Sequence, residues 1–108
     1  RDQERASLGQ MMMDTYVARS AFYRSARLAE SGEDVLNEGS IAKLFAAEAA
    51  GRMVDEAIQV VGAEALVEGH PLARLYRVTR SWRFSEGSSE MLRRSIARGI
   101  LEFDSGRV

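Results

Sequence analysis

Proline occurs once in the 108 residues, at Pro71, and this restricts the fold more than any other feature. Proline removes a backbone donor and clashes with the preceding helical turn, so its near absence leaves long stretches free to run as unbroken helix. Ala, Leu, Arg, Glu and Met, all strong helix formers, dominate those stretches, and no segment alternates apolar and polar residues as a half-buried strand does. The sequence therefore predicts an all-α domain over residues 1–108, a helical bundle of the up-and-down four-helix type. A chain this short holds one core and buries about 60–70% of its unfolded surface.

Spacing and punctuation place the helices. Leu8, Met11, Thr15, Ala18, Phe22, Ala26 and Ala29 recur at steps of three and four, one face of a first helix that should stop at Ser31-Gly32. Asn37 reads as the N-cap of a second helix with two adjacent apolar stripes, Leu44, Ala47, Gly51, Val54, Ile58, Val61 and Phe45, Ala49, Met53, Ala57. Two stripes imply packing on more than one side. Gly62 should end that helix. Gly69-His70-Pro71 reads as loop, cap and first position of a short third helix running to about Trp82. Leu92, Ile96 and Ile100 mark a fourth helix that frays near Asp104-Ser105-Gly106. The opening run Arg1-Asp2-Gln3-Glu4-Arg5 already reads as helix interior, so more chain is expected before it. A missing helix or another subunit would then complete the bundle.

Composition removes several functions. The absence of cysteine excludes disulfides, thiolate metal sites and a cysteine nucleophile, and it agrees with a cytoplasmic location. His70 is the sole histidine, so no metal site is expected. Fifteen basic against 16 acidic residues, a net charge of −1, give no field that would draw in nucleic acid or an anionic membrane. Arg74, Arg77, Arg80 and Arg83 form only a local basic strip, suited to acids or phosphates within an assembly. No apolar run is long enough to span a membrane, and none follows the charged start as a signal peptide would. Met11-Met12-Met13 reads as core filling.

Four segments carry a resemblance in order and spacing: Ala42-Lys43-Leu44-Phe45-Ala46-Ala47-Glu48, Glu56-Ala57-Ile58-Gln59-Val60-Val61-Gly62, Pro71-Leu72-Ala73-Arg74-Leu75-Tyr76-Arg77 and Glu86-Gly87-Ser88-Ser89-Glu90. Together they resemble the C-terminal helical domain of the FAD-dependent acyl-CoA dehydrogenases. The resemblance implies FAD as cofactor, an acyl-CoA substrate and α,β-dehydrogenation of the acyl thioester. It also implies N-terminal and middle domains missing from these residues, and a homo-oligomer, dimer or tetramer.

Site roles follow from the same resemblance. Glu86 stands where the family keeps the base that takes the α-proton, and Gly87 follows it; the backbone amide of Gly87 or of Glu86 would polarise the thioester carbonyl. Ser88 and Glu90 match positions that sit against FAD, Ser88 in place of the commoner threonine. Gln59, Val60, Val61, Gly62 and Ala63 match a turn that contacts the ADP half of FAD, commonly one held by a neighbouring subunit. Val61 replaces Phe there and Ala63 replaces a second Gly, so a positive φ at Ala63 would be strained. Val78 stands in place of an Asp, and Ser85 in place of the aromatic residue that usually precedes the base.

Physical chemistry gives Glu86 two opposing influences. The N-terminus of the last helix stabilises a carboxylate, whereas an apolar acyl pocket desolvates it and raises its pKa. Without the motif, Glu86 reads as an ordinary first-turn acid, Gly87 as a loop glycine and Ser88 or Ser89 as a cap. Trp82 and Phe84 would line an acyl or flavin cavity, or simply pack. A second reading of the whole chain is a non-catalytic helical module for oligomerisation or interaction, derived from the same fold.

Overall fold

The computed structural model describes residues 2–85 and 87–108. Among them are four α-helices, α1 (Asp2–Glu30), α2 (Leu36–Val61), α3 (Pro71–Ser81) and α4 (Ser89–Phe103), with a short 3₁₀ turn at Ala63–Leu66 and no strand. The all-α expectation holds. α2 is the axis of the unit: α1 packs on it from one side, and α3 and α4 pack on it from elsewhere around its circumference. This is why α2 needs two stripes, and Ala42, Leu44, Ala47, Ala49 and Val54 are its buried apolar residues.

The helix ends obey local chemistry. Gly32, at φ +84, closes α1: its N–H donates to the Ala29 carbonyl and the Glu33 N–H donates to the Leu28 carbonyl, both at 3.0 Å. That pair of bonds is the glycine-terminated helix stop the sequence predicts. The Gly62 N–H donates to the Ile58 carbonyl and ends α2. His70 caps α3 as expected, its Nδ1 accepting from the Leu72 N–H at 3.1 Å with Pro71 in the first position. The third helix stops at Ser81, one residue short of the expected Trp82.

Asn37 is not the N-cap of α2. Its helix begins at Leu36, and the Asp34 carboxylate already accepts the Leu36 N–H at 3.0 Å. Asn37 is instead buried inside the first turn, where its Nδ2 donates to the Ser105 carbonyl at 3.0 Å. The tail after α4 folds back onto the α1–α2 junction through that bond. Arg107 adds ion pairs to Glu38 at 3.1 Å and Glu33 at 3.7 Å, and Arg24 donates to the Val108 carbonyl at 3.0 Å.

The buried face of α1 also differs from expectation. Met11, Thr15 and Ala18 face inward as expected, but the rest of the inner face is Ser7, Asp14, Ala21, Ser25 and Leu28. Leu8 is 68% exposed and Phe22 50%, and Ala26 and Ala29 are exposed. The seam with α2 is polar: Ser7 donates to Glu56, Asp14 pairs with Arg52 at 3.3 Å, and the Thr15 hydroxyl lies 3.5 Å from the Met53 sulfur. Polar partners on α2 thus turn the small and charged side of α1 inward. Of the methionine run only Met11 is part of the packing, while Met12 and Met13 are exposed with Leu8 and Tyr16.

Candidate active site

α3 stops at Ser81 and α4 starts at Ser89, and a turn joins them. The turn is built from its own backbone: the Phe84 N–H donates to the Ser81 carbonyl at 3.0 Å, the Ser85 N–H to the same carbonyl at 3.2 Å, and the Ser89 N–H to the Arg83 carbonyl at 3.2 Å. The Ser85 hydroxyl also donates to Ser81 at 3.2 Å. Glu86, the candidate base, lies outside the described residues. The residue after it, Gly87, has φ +109, a conformation that L side chains rarely adopt.

Ser88 then caps α4. Its Oγ accepts from the Met91 N–H at 3.2 Å, so the capping reading of Ser88 is correct. The cap uses the oxygen as acceptor and leaves the hydroxyl hydrogen free to donate, so Ser88 fits contact with a cofactor acceptor as well. Glu90 is exposed in the first turn of α4, where the helix dipole favours an acid.

Two residues of α2 reach this region, and neither role is given by periodicity. The Lys43 ammonium donates to the Trp82 carbonyl at 2.8 Å and to the Gly87 carbonyl at 3.1 Å. Glu48 receives the Arg93 guanidinium on both oxygens, at 2.6 and 2.8 Å, and ties α2 to α4. The hydrogen bond that Arg93 donates to Glu48 holds the Arg93 pKa above its ordinary value. For Lys43 a signal did exist: it lies between buried Ala42 and Leu44, and Gly39, Ser40, Ala46 and Ala47 offer it no acid at helical spacing.

Of the basic strip, Arg80 stacks on the Phe84 ring at 4.9 Å. Phe84 is otherwise exposed, as is Trp82. Beside them a cavity of about 120 Å³ opens between Glu48, Arg80, Arg83 and Ser89. The Arg83 Nε and Ser89 Oγ are buried without a partner among the described residues.

The predicted ADP-contacting residues lie elsewhere. Gln59, Val60 and Val61 are exposed at the far end of α2, and Ala63 is exposed at the start of the 3₁₀ turn. Ala63 takes no positive φ, so the strain expected there is absent: the chain enters a 3₁₀ turn in place of a second glycine bend. Gln59 stands 16 positions after Lys43, about 24 Å along the helix. The structure therefore brings Gly87, Ser88 and Glu90 together and keeps residues 59–63 apart from them.

Comparison with known proteins decides the family. The model described as acyl-CoA dehydrogenase, C-terminal domain, matches residues 3–101. The chain belongs to the acyl-CoA dehydrogenase family. Cyclohexane-1-carbonyl-CoA dehydrogenase of Geobacter metallireducens is 35% identical over 85 residues, 79% of this chain and 22% of that protein. The 3-(aryl)acrylate reductase of Clostridium sporogenes is 34% identical, over 88% of this chain and 25% of that protein. Human mitochondrial very long-chain specific acyl-CoA dehydrogenase is 34% identical, over 83% of this chain and 14% of that protein. The chain thus spans a quarter or less of the length of these relatives. In fold it matches a solved chain described as an electron transferring flavoprotein of Acidaminococcus fermentans, with a TM-score of 0.88 over 94% of this chain and 27% of that one. At 22% identity this is a likeness of fold alone.

Within the acyl-CoA dehydrogenase pattern, the departures have local structural homes. Val78 is an exposed residue of α3. Ser85 uses its hydroxyl within its own turn, where an aromatic ring would have spread outward.

Proposed function

We propose that the chain is the C-terminal part of an FAD-dependent acyl-CoA dehydrogenase, with Glu86 as the base that removes the α-proton of an acyl thioester. What supports this most is the sequence of local structures after Glu86: a positive-φ glycine at Gly87, then the side-chain cap at Ser88, then α4. A carboxylate at that place stands before a helix N-terminus, which favours the ionised form that accepts a proton. FAD, when bound, supplies the acceptor for the β-hydrogen, which leaves as hydride with its electron pair. The α-proton goes to the Glu86 carboxylate, and the electron pair of the α C–H bond alone becomes the new double bond as the β C–H pair leaves with the hydride. The Gly87 amide would donate to the thioester oxygen as charge builds there. Expulsion of water by the acyl chain would raise the basicity of Glu86 at the moment of transfer.

The residues present fit the cofactor: Ser88 keeps a free donor, and residues 59–63 offer an exposed amide and backbone at the far end of α2. The test is the absorption of the full-length protein. The visible flavin band should be present on purification and bleach anaerobically with an accepted acyl-CoA. A full-length protein without flavin, or flavin that no acyl-CoA bleaches, would favour the non-catalytic module.

The exposed row Leu8, Met12 and Tyr16 on α1 supports self-association as well. Single exposed apolar residues are ordinary, but a helical row of large ones marks a covered surface. Dimers or tetramers of the chain are expected in sedimentation at tens of micromolar, and a clean monomer would argue that α1 needs no cover.

A further inference from the structure

We propose that Lys43 is a positioning residue for the base: its ammonium holds the turn that carries Glu86 in the shape the proton transfer needs. The inference rests on the reading of Glu86 as that base. The two carbonyls that Lys43 grips, Trp82 at 2.8 Å and Gly87 at 3.1 Å, lie on either side of residue 86 in the chain. One belongs to the C-cap of α3, the other to the residue leading into the capped start of α4. A single cation therefore fixes the gap between the two helices from outside the turn.

The backbone bonds of the turn do not do this by themselves. Among the described residues they link residue 84 and residue 85 to Ser81, and Ser89 to Arg83, and the Gly87 carbonyl accepts from Lys43. Gly87 is also the residue least able to hold a single conformation unaided, since glycine has the widest backbone freedom. Lysine suits the task because its ammonium presents three donors, two of which can serve carbonyls in different directions. Its stem rises between buried Ala42 and Leu44, so the head is delivered from a fixed part of α2. The carbonyls at the end of α3 carry the negative end of its dipole and add a charge-assisted component. Lys43 makes no ion pair with a carboxylate among the described residues, so its charge is directed at these carbonyls.

Displacing a reacting group by about 1 Å can cost on the order of 10²-fold in rate. In the full-length, flavin-loaded protein, Lys43→Met should lower turnover per bound flavin by about 10- to 100-fold while the acyl-CoA KM stays within about threefold. Deuterium exchange at the α-carbon of a bound acyl-CoA that lacks a β-hydrogen should slow in parallel, because it reads the base without hydride transfer. Lys43→Arg, which keeps charge and donors, should recover part of the loss. If Lys43→Met does not fold with flavin, Lys43→Gln, which keeps one donating amide, takes its place under the same readouts. Turnover per flavin and exchange within twofold of wild type, even with lowered thermal stability, would overturn the proposal by reducing Lys43 to a structural tie. Glu86→Gln run alongside separates the two claims. If it keeps exchange and bleaching, the base assignment fails and Lys43 falls with it; if it loses both while Lys43→Met keeps both, positioning alone fails.

Discussion

Glu86→Gln in the full-length protein should abolish flavin bleaching by acyl-CoA while leaving flavin content and acyl-CoA binding near wild type. Glutamine preserves side-chain length and hydrogen-bonding capacity, so neither the Ser88 cap nor the Gly87 bend loses a partner. An amide cannot accept the α-proton at neutral pH, and without that acceptor the β-hydrogen cannot leave as hydride. A loss of at least about 10²-fold is the usual scale for removing a positioned base. Anaerobic mixing followed at the flavin band measures it directly. Bleaching at near the wild-type rate would make Glu86 a first-turn acid that serves the α4 dipole, and would move the base elsewhere or change the chemistry.

The parts of the fold legible in the sequence are those decided within a few residues. Gly32, the His70-Pro71 pair and Ser88 each act on backbone groups at most a few positions away, and each does in the structure what its local pattern implies. Asn37 shows the limit of such reading. It is a good capping residue, but Asp34 reaches the same helix start first, and Asn37 is committed to Ser105, 68 residues along the chain. No local rule contains that competition.

The face of α1 was hidden for a different reason. Apolar periodicity says that Leu8, Met11, Phe22 and the rest of that stripe should be covered, but not by what. Within these residues α2 offers α1 polar partners, Glu56 and Arg52, so Ser7 and Asp14 turn inward and the large apolar residues stay outside. The candidate site divides in the same way. Gly87 and Ser88 were legible because their jobs are local, whereas Lys43 and the Glu48–Arg93 pair, drawn from one motif segment on α2, act on elements 39 to 45 residues away. A helical lysine or glutamate reads as a solvated position until the partner helix is in place.

Gly87→Ala should cost the full-length protein both stability and turnover, and comparison with Gly32→Ala should separate the two effects. Both glycines hold a left-handed φ, +109 at Gly87 and +84 at Gly32, which a Cβ disfavours by about 1–2 kcal/mol. Space is not the obstacle at either: a Cβ on Gly87 would meet the Leu92 side chain no closer than 3.5 Å, ordinary contact, and one on Gly32 would meet nothing within 4 Å. The two substitutions should therefore lower stability to chemical denaturation by similar amounts. Their functional consequences should differ, because Gly32 only stops α1, whereas Gly87 adjoins the proposed base in sequence and presents its carbonyl to Lys43. Relief of strain at Gly87 would rotate that peptide and loosen the Lys43 contact; if Glu86 is the base as proposed, the disturbance is worth about 10-fold or more in turnover per flavin. Gly32→Ala should keep turnover per flavin near wild type. Equal turnover in both variants would show that the bend at Gly87 only joins α3 to α4, with no part in aiming the proposed base.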